Sequence, residues 1–171
     1  MISQKKAVIF VMKYENMCVL KKIAFTNGVT LDLFPNIQQQ LYTYRQNGIE
    51  SPEKGGLLIG YENVQSRNIT LTQITKPQAK DKGTRASLKL SAQHKQIVSD
   101  VEEPYGYMGT WHTHPSNLPI PSSIDLEDWQ ECCRCNDGRT SALIFIILGI
   151  EGYRIWLIDS ETRRVIEGTV V

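Results

Sequence analysis

Cysteine is scarce and poorly spread for cross-linking: Cys18 stands alone, while Cys132, Cys133 and Cys135 crowd one predicted helix. With no secretory signal beside them, they do not make a disulfide scaffold, and reduced thiols are expected. The Cys132-x-x-Cys135 spacing has no matching Cys or His pair elsewhere, which favours helix packing over a second metal or a redox pair. Charge of one sign is also missing. With 19 basic and 18 acidic residues the formal net charge is +1, so no strong field draws nucleic acid or an anionic membrane, and neither is expected as a partner. Long hydrophobic runs are absent too. Ile144 to Ile150 falls far short of the roughly 20 residues needed to span a bilayer. The apolar run Ala7 to Met12 passes into Lys13-Tyr14-Glu15-Asn16 without a small-residue cleavage site, so it reads as a strand in a cytoplasmic protein. There is no internal repeat.

What remains is an ordinary globular composition, 41% hydrophobic and 22% charged, over 171 residues, which is enough for one core and one domain spanning 1–171. Residues 7–12 and 17–25 read as an antiparallel strand pair around a polar turn, followed by the turn signal Asn27-Gly28. Pro35 to Arg45 carries a partly helical apolar spacing, with Pro35 early and Gly48 beyond its end. Strands are expected at 55–63 and 68–75, a polar loop over 76–85, and a short strand near 87–90. Ser91 to Val98 is compatible with a helix in which His94 lies at the surface. Three further strands, near 141–149, 152–159 and 163–170, complete the chain. Strands mixed with a few helices indicate an α+β or α/β sandwich.

The chemistry concentrates in residues 112–125, His-Thr-His-Pro-Ser-Asn-Leu-Pro-Ile-Pro-Ser-Ser-Ile-Asp. Side chains alternate along a strand, so His112 and His114 project from one face and can share a metal, while Thr113 points away. Pro115 removes a backbone donor and ends the strand. The run from Ser122 to Trp129 then reads as a helix start, with Ser at the N-cap and carboxylates in the first turn. Two imidazoles and Asp125 make three protein ligands and leave a tetrahedral zinc its fourth position for water, the pattern of catalytic rather than structural sites. Upstream, Gly55-Gly56 suggests a close backbone approach and Leu57 to Ile59 a buried strand.

The spacing His, Thr, His-Pro, six residues, Ser, two residues, Asp resembles the JAMM, or MPN-plus, metalloprotease motif at every fixed position. Glu53, fifty-nine positions before His112 and just ahead of Gly55-Gly56, matches the upstream glutamate of that family. The resemblance implies a cytidine-deaminase-like MPN (JAB) fold of α+β class, a mixed sheet packed with helices. It also implies a Zn2+ cofactor held by His112, His114 and Asp125. Glu53 is then the general base toward water and the later acid toward the leaving amine, and Ser122 helps stabilise the oxyanion. The same hydroxyl can cap the helix through its oxygen. Family members with all these residues cut peptide or isopeptide bonds after the C-terminus of a ubiquitin-like protein. The chain looks most like the bacterial isopeptidases of cyclic-oligonucleotide anti-phage defence. These remove a conjugated cGAS-like nucleotidyltransferase, which an E1/E2-like ligase attaches to its targets. Other readings are a JAMM peptidase trimming a ubiquitin-like sulfur carrier or a phage-tail protein, and a non-catalytic MPN scaffold, against which the intact motif argues. A nucleobase deaminase is disfavoured because its His-x-Glu and Pro-Cys-x-x-Cys pattern is missing.

Overall fold

The computed structural model describes residues 11–48 and 50–171. In chain order these form β1 (Met12–Lys13), β2 (Lys21–Ala24), β3 (Thr30–Leu33), α1 (Pro35–Tyr44), β4 (Gly55–Asn63), β5 (Asn68–Ile74), β6 (Lys82–Gly83) and β7 (Leu88–Lys89). There follow α2 (Gln93–Ser99), β8 (Gly106–Thr113), α3 (Ser123–Asn136), β9 (Ala142–Leu148), β10 (Gly152–Asp159), β11 (Val165–Glu167) and β12 (Thr169–Val170). Ten strands join one sheet in the order β1-β10-β9-β8-β4-β5-β3-β2-β12, with β11 also on β10, while β6 and β7 form a separate hairpin. Pairing is antiparallel except for β3 with β5 and β8 with β9, which makes the sheet mixed. This is the expected α+β class.

The centre of the sheet is buried on both faces. Every residue of β9, Ala-Leu-Ile-Phe-Ile-Ile-Leu, is inaccessible, so an unbroken apolar run rather than an alternating one marks that strand. Ile144, Ile146 and Leu148 pack with Ile37 and Leu41 of α1, whereas Leu143, Phe145 and Ile147 pack with Trp129 and Cys133 of α3. Burial of these side chains is the main stabilising term, at roughly 1.5–3 kcal/mol for each large aliphatic or aromatic group.

Four expectations change. The described part of 7–12 does not pair with 17–25: β1 lies on β10, and β2 lies between β3 and β12. Residues 7–10 fall outside the described part. β3 had not been expected, because it is only four residues long, and its buried Leu31 and Leu33 alternate with half-exposed Thr30 and Asp32. His94 is not at the surface; it is 1% exposed and bonded on both ring nitrogens. A two-residue strand, β6, also interrupts the expected polar loop. Among the described residues no helix is long and apolar enough to cross a membrane.

Candidate metal centre

β8 delivers the histidines. His112 is level with Ile147 of β9, on the face covered by α3, and His114 stays attached beyond the strand end through its backbone N–H to the Leu148 carbonyl at 2.8 Å. Their Nε2 atoms are 3.0 Å apart, as the period-two spacing predicts. Thr113 points the other way and is fully buried, with its hydroxyl oxygen accepting the Lys54 N–H at 3.0 Å. That bond is structural, and the motif alone did not disclose it.

α3 delivers Asp125. Its N-cap Ser122 accepts the Asp125 N–H at 3.1 Å, and the Asp125 carboxylate in turn accepts the Ser122 N–H at 2.6 Å. This reciprocal box satisfies two orphan donors of the helix start and fixes the aspartate rotamer. The Ser122 hydroxyl also donates to Asp125 Oδ2 at 2.7 Å. Asp125 Oδ1 lies 3.1 Å from His112 Nε2, and Oδ2 lies 3.3 Å from His114 Nε2.

This donor set fits a metal ion. Bonds of about 2.0–2.2 Å to one tetrahedral centre would separate neighbouring ligand atoms by roughly 3.3–3.5 Å. The spacings here, 3.0 Å between the imidazole nitrogens and 3.1 and 3.3 Å from them to the two oxygens of Asp125, lie at or slightly below that range and need only small adjustment. His112, His114 and Asp125 form the one cluster of at least three such ligands among the described residues. Burial lowers the His112 pKa against the opposing pull of Asp125, which keeps a ring lone pair available. Burial works to raise Asp125, but hydrogen bonds from His112, His114 and Ser122 outweigh it and hold the carboxyl well below its usual range. A carboxylate oxygen and two imidazole nitrogens are a set that zinc favours.

Glu53 arrives through sheet register. β4 pairs antiparallel with β8, Gly55 opposite His112, and the Thr113 N–H donates to the Lys54 carbonyl at 2.9 Å. Just ahead of β4, Glu53 lines the same groove as His112 and His114. The glycines allow this close packing: a Cβ on Gly55 would meet the Trp111 carbonyl at 2.6 Å, and one on Gly56 the Thr75 carbonyl at 2.3 Å. Glu53 is 9% exposed, and burial raises its pKa to about 7, partly countered by His114 and reinforced by Asp125. A carboxyl near neutrality is suited to proton transfer in both directions.

All five expected site residues line one groove of about 620 Å³. Its walls are the segment Ala86–Leu90 on one side and Ile124, Asp128 and Cys132 of α3 on the other. These wall residues carry no motif, and only the tertiary fold identifies them. The four cysteines are free thiols. Cys133 is buried between α3 and the sheet, with its pKa pushed up by burial to about 11, and Cys132 is partly buried beside it, whereas Cys135 is exposed and does not pack.

Comparison with known proteins agrees with this geometry. Residues 36–159 match the family described as prokaryotic homologs of the JAB domain. A CD-NTase/cGAS isopeptidase of Escherichia coli is 36% identical over 138 residues, covering 78% of this chain and 82% of that protein. A CD-NTase/cGAS isopeptidase of Vibrio cholerae is 30% identical over 135 residues, covering 76% and 81%. In fold, the chain is similar to a protein of Desulfitobacterium hafniense solved in solution, with a TM-score of 0.50, 16% identity, and coverage of 79% and 84%. Together, the matched span and the identity to these relatives show that the chain belongs to the prokaryotic JAB-domain family.

Proposed function

We propose that the protein, acting as a single JAB domain over 1–171, is a cytoplasmic zinc isopeptidase. Its substrate is a protein conjugated through the C-terminus of a CD-NTase/cGAS-type nucleotidyltransferase by an E1/E2-like ligase. The observation that carries this reading is that Glu53 and a metal-fitting His112–His114–Asp125 cluster line one groove. The relatives named CD-NTase/cGAS isopeptidase supply the substrate class.

When bound, zinc supplies Lewis acidity that lowers the pKa of water from 15.7 to about 7. Glu53 takes a proton from the attacking water and returns it to the lysine amine as the carbonyl carbon–nitrogen bond breaks. The Ser122 hydroxyl turns from Asp125 Oδ2 to donate to the developing oxyanion, a contribution of about 3 kcal/mol where such donors have been removed. An extended tail lies along β7, which pairs on one side only, with β6, and whose neighbours line the groove.

The test uses the zinc-loaded chain and a nucleotidyltransferase C-terminal peptide joined to a lysine ε-amine. Mass spectrometry should find the free tail carboxylate and the free lysine, and a chelator should stop their release. An intact conjugate after incubation with fully metallated protein contradicts the assignment.

A further inference from the structure

Between β5 and α2 the chain makes a long excursion, residues 75–92, that leaves the sheet and returns carrying β6 and β7. A small polar cluster ties its base together. His94, 1% exposed, has Nε2 at 2.9 and 3.0 Å from the two oxygens of Asp81 and Nδ1 at 2.6 Å from Thr75 Oγ1. The Asp81 oxygens also accept the Gln78 N–H at 2.7 Å on the outgoing leg and the Ser91 N–H at 2.8 Å on the returning one. Because a carboxylate only accepts, Nε2 donates to Asp81, and Nδ1 pairs with the Thr75 hydroxyl. Thr75 is clamped in turn: its Oγ1 accepts the Leu57 N–H at 2.7 Å, and its carbonyl accepts Trp111 Nε1 at 3.2 Å. One buried imidazole thus joins both legs of the excursion to β4 and β8; Glu53 lies two residues ahead of β4, and His112 is in β8.

The far end of the excursion touches Glu53 itself. The Thr84 carbonyl accepts the Glu53 N–H at 2.8 Å, and the backbone of Gly83 lies so close that a Cβ there would meet the Glu53 carbonyl at 2.2 Å. The opposite side of this segment is held by Thr113 through Lys54. Glu53 is therefore gripped between β8 and the hairpin, and on the hairpin side the grip depends on where His94 pins the excursion.

We propose that His94, through Asp81 and Thr75, is the positioning residue for Glu53: it seats the β6–β7 hairpin so that Gly83 and Thr84 fix the backbone of the glutamate at the mouth of the groove. The inference rests on the proposed role of Glu53 in proton transfer. Burial favours a higher Asp81 pKa, yet hydrogen bonds from Gln78, His94 and Ser91 lower it, as an ionised anchor requires. Ala86–Leu90 belongs to the same hairpin, so one anchor serves both the glutamate and one groove wall.

Amide hydrogen exchange read residue by residue, with kcat and KM on the same samples, tests the anchor in zinc-loaded His94→Ala and Asp81→Asn. Exchange at the Glu53 amide and over 82–89 should accelerate by about tenfold or more, while the β9 amides keep their protection. kcat should fall by at least about tenfold with zinc content unchanged. His94→Gln, which restores a donor toward Asp81, should recover part of both effects. Gly83→Ala, which leaves His94 intact, should lower kcat in the same way. Unaltered Glu53 exchange in folded His94→Ala overturns the anchor, and so does acceleration spread equally over β9, which marks a merely structural residue. If His94→Ala does not fold, Asp81→Asn decides by the same criteria. Absence of cleavage by the wild-type protein removes the isopeptidase reading alone, because the exchange measurement still tests the anchor.

Discussion

Glu53 is a carboxyl that the fold prefers to keep protonated. Burial moves its pKa from 4.5 to about 7, against the pull of His114 and with the push of Asp125. A raised folded-state pKa gives stability that is complete below the unfolded value and is lost as pH rises through the folded one. In metal-free protein, Glu53→Gln copies the protonated form and never ionises. Its denaturation midpoint should therefore gain on wild type as pH goes from about 5 to about 8.5. Added zinc should shrink the difference, because a nearby cation stabilises the ionised carboxylate. A constant offset across that range would place Glu53 in open solvent. At this scale the sequence was legible where residue type and spacing encode chemistry, and all five motif residues line one groove. Thr75, Asp81, Thr113 and His94 were not legible as a support system. Their partners are backbone groups and side chains brought together by folding, and a lone polar residue carries no sign of them.

At the scale of elements, β8 must present His112 while lying between antiparallel β4 and parallel β9. Gly109 makes this possible, with φ +132° and a position where a Cβ would sit 1.8 Å from the Ile144 carbonyl. The β4–β8 register shifts beside it, between Leu58 and Ile59, as a bulge does. Gly109→Ala should cost about 2–4 kcal/mol in urea unfolding, since backbone strain and a steric clash with the neighbouring strand act together. A neutral substitution would mean that the two strands can separate cheaply. Strands β4, β5, β8, β9 and β10 were readable from apolar runs and alternation. β3 was not, because four residues between a turn and a proline-led helix are too few to show a period. β6 was not either, because Lys82 and Gly83 are exposed and the strand exists only by pairing with β7.

For the whole molecule, the site is a consequence of strand order. His112 comes from β8 and His114 from just beyond its end, Asp125 from the helix that follows, and Glu53 from the segment entering β4, which is β8's neighbour in the sheet. Fifty-nine residues of sequence separation between Glu53 and His112 close because two central strands pair in one register. The same placement sets the site in a groove lined by α3 and the β6–β7 hairpin. The mixed α+β architecture was legible from the order of strands and helices, but the pairing of β1 with β10 was not, because both faces of those edge contacts are set by distant segments. The central claim is that Glu53 moves the proton while His112, His114 and Asp125 hold the metal. Turnover of a lysine-linked tail substrate by Glu53→Gln and wild type, both brought to one zinc per chain by elemental analysis, tests it most directly. The account predicts equal metal content and a loss of at least about 10²-fold in kcat; equal turnover at equal zinc would contradict it.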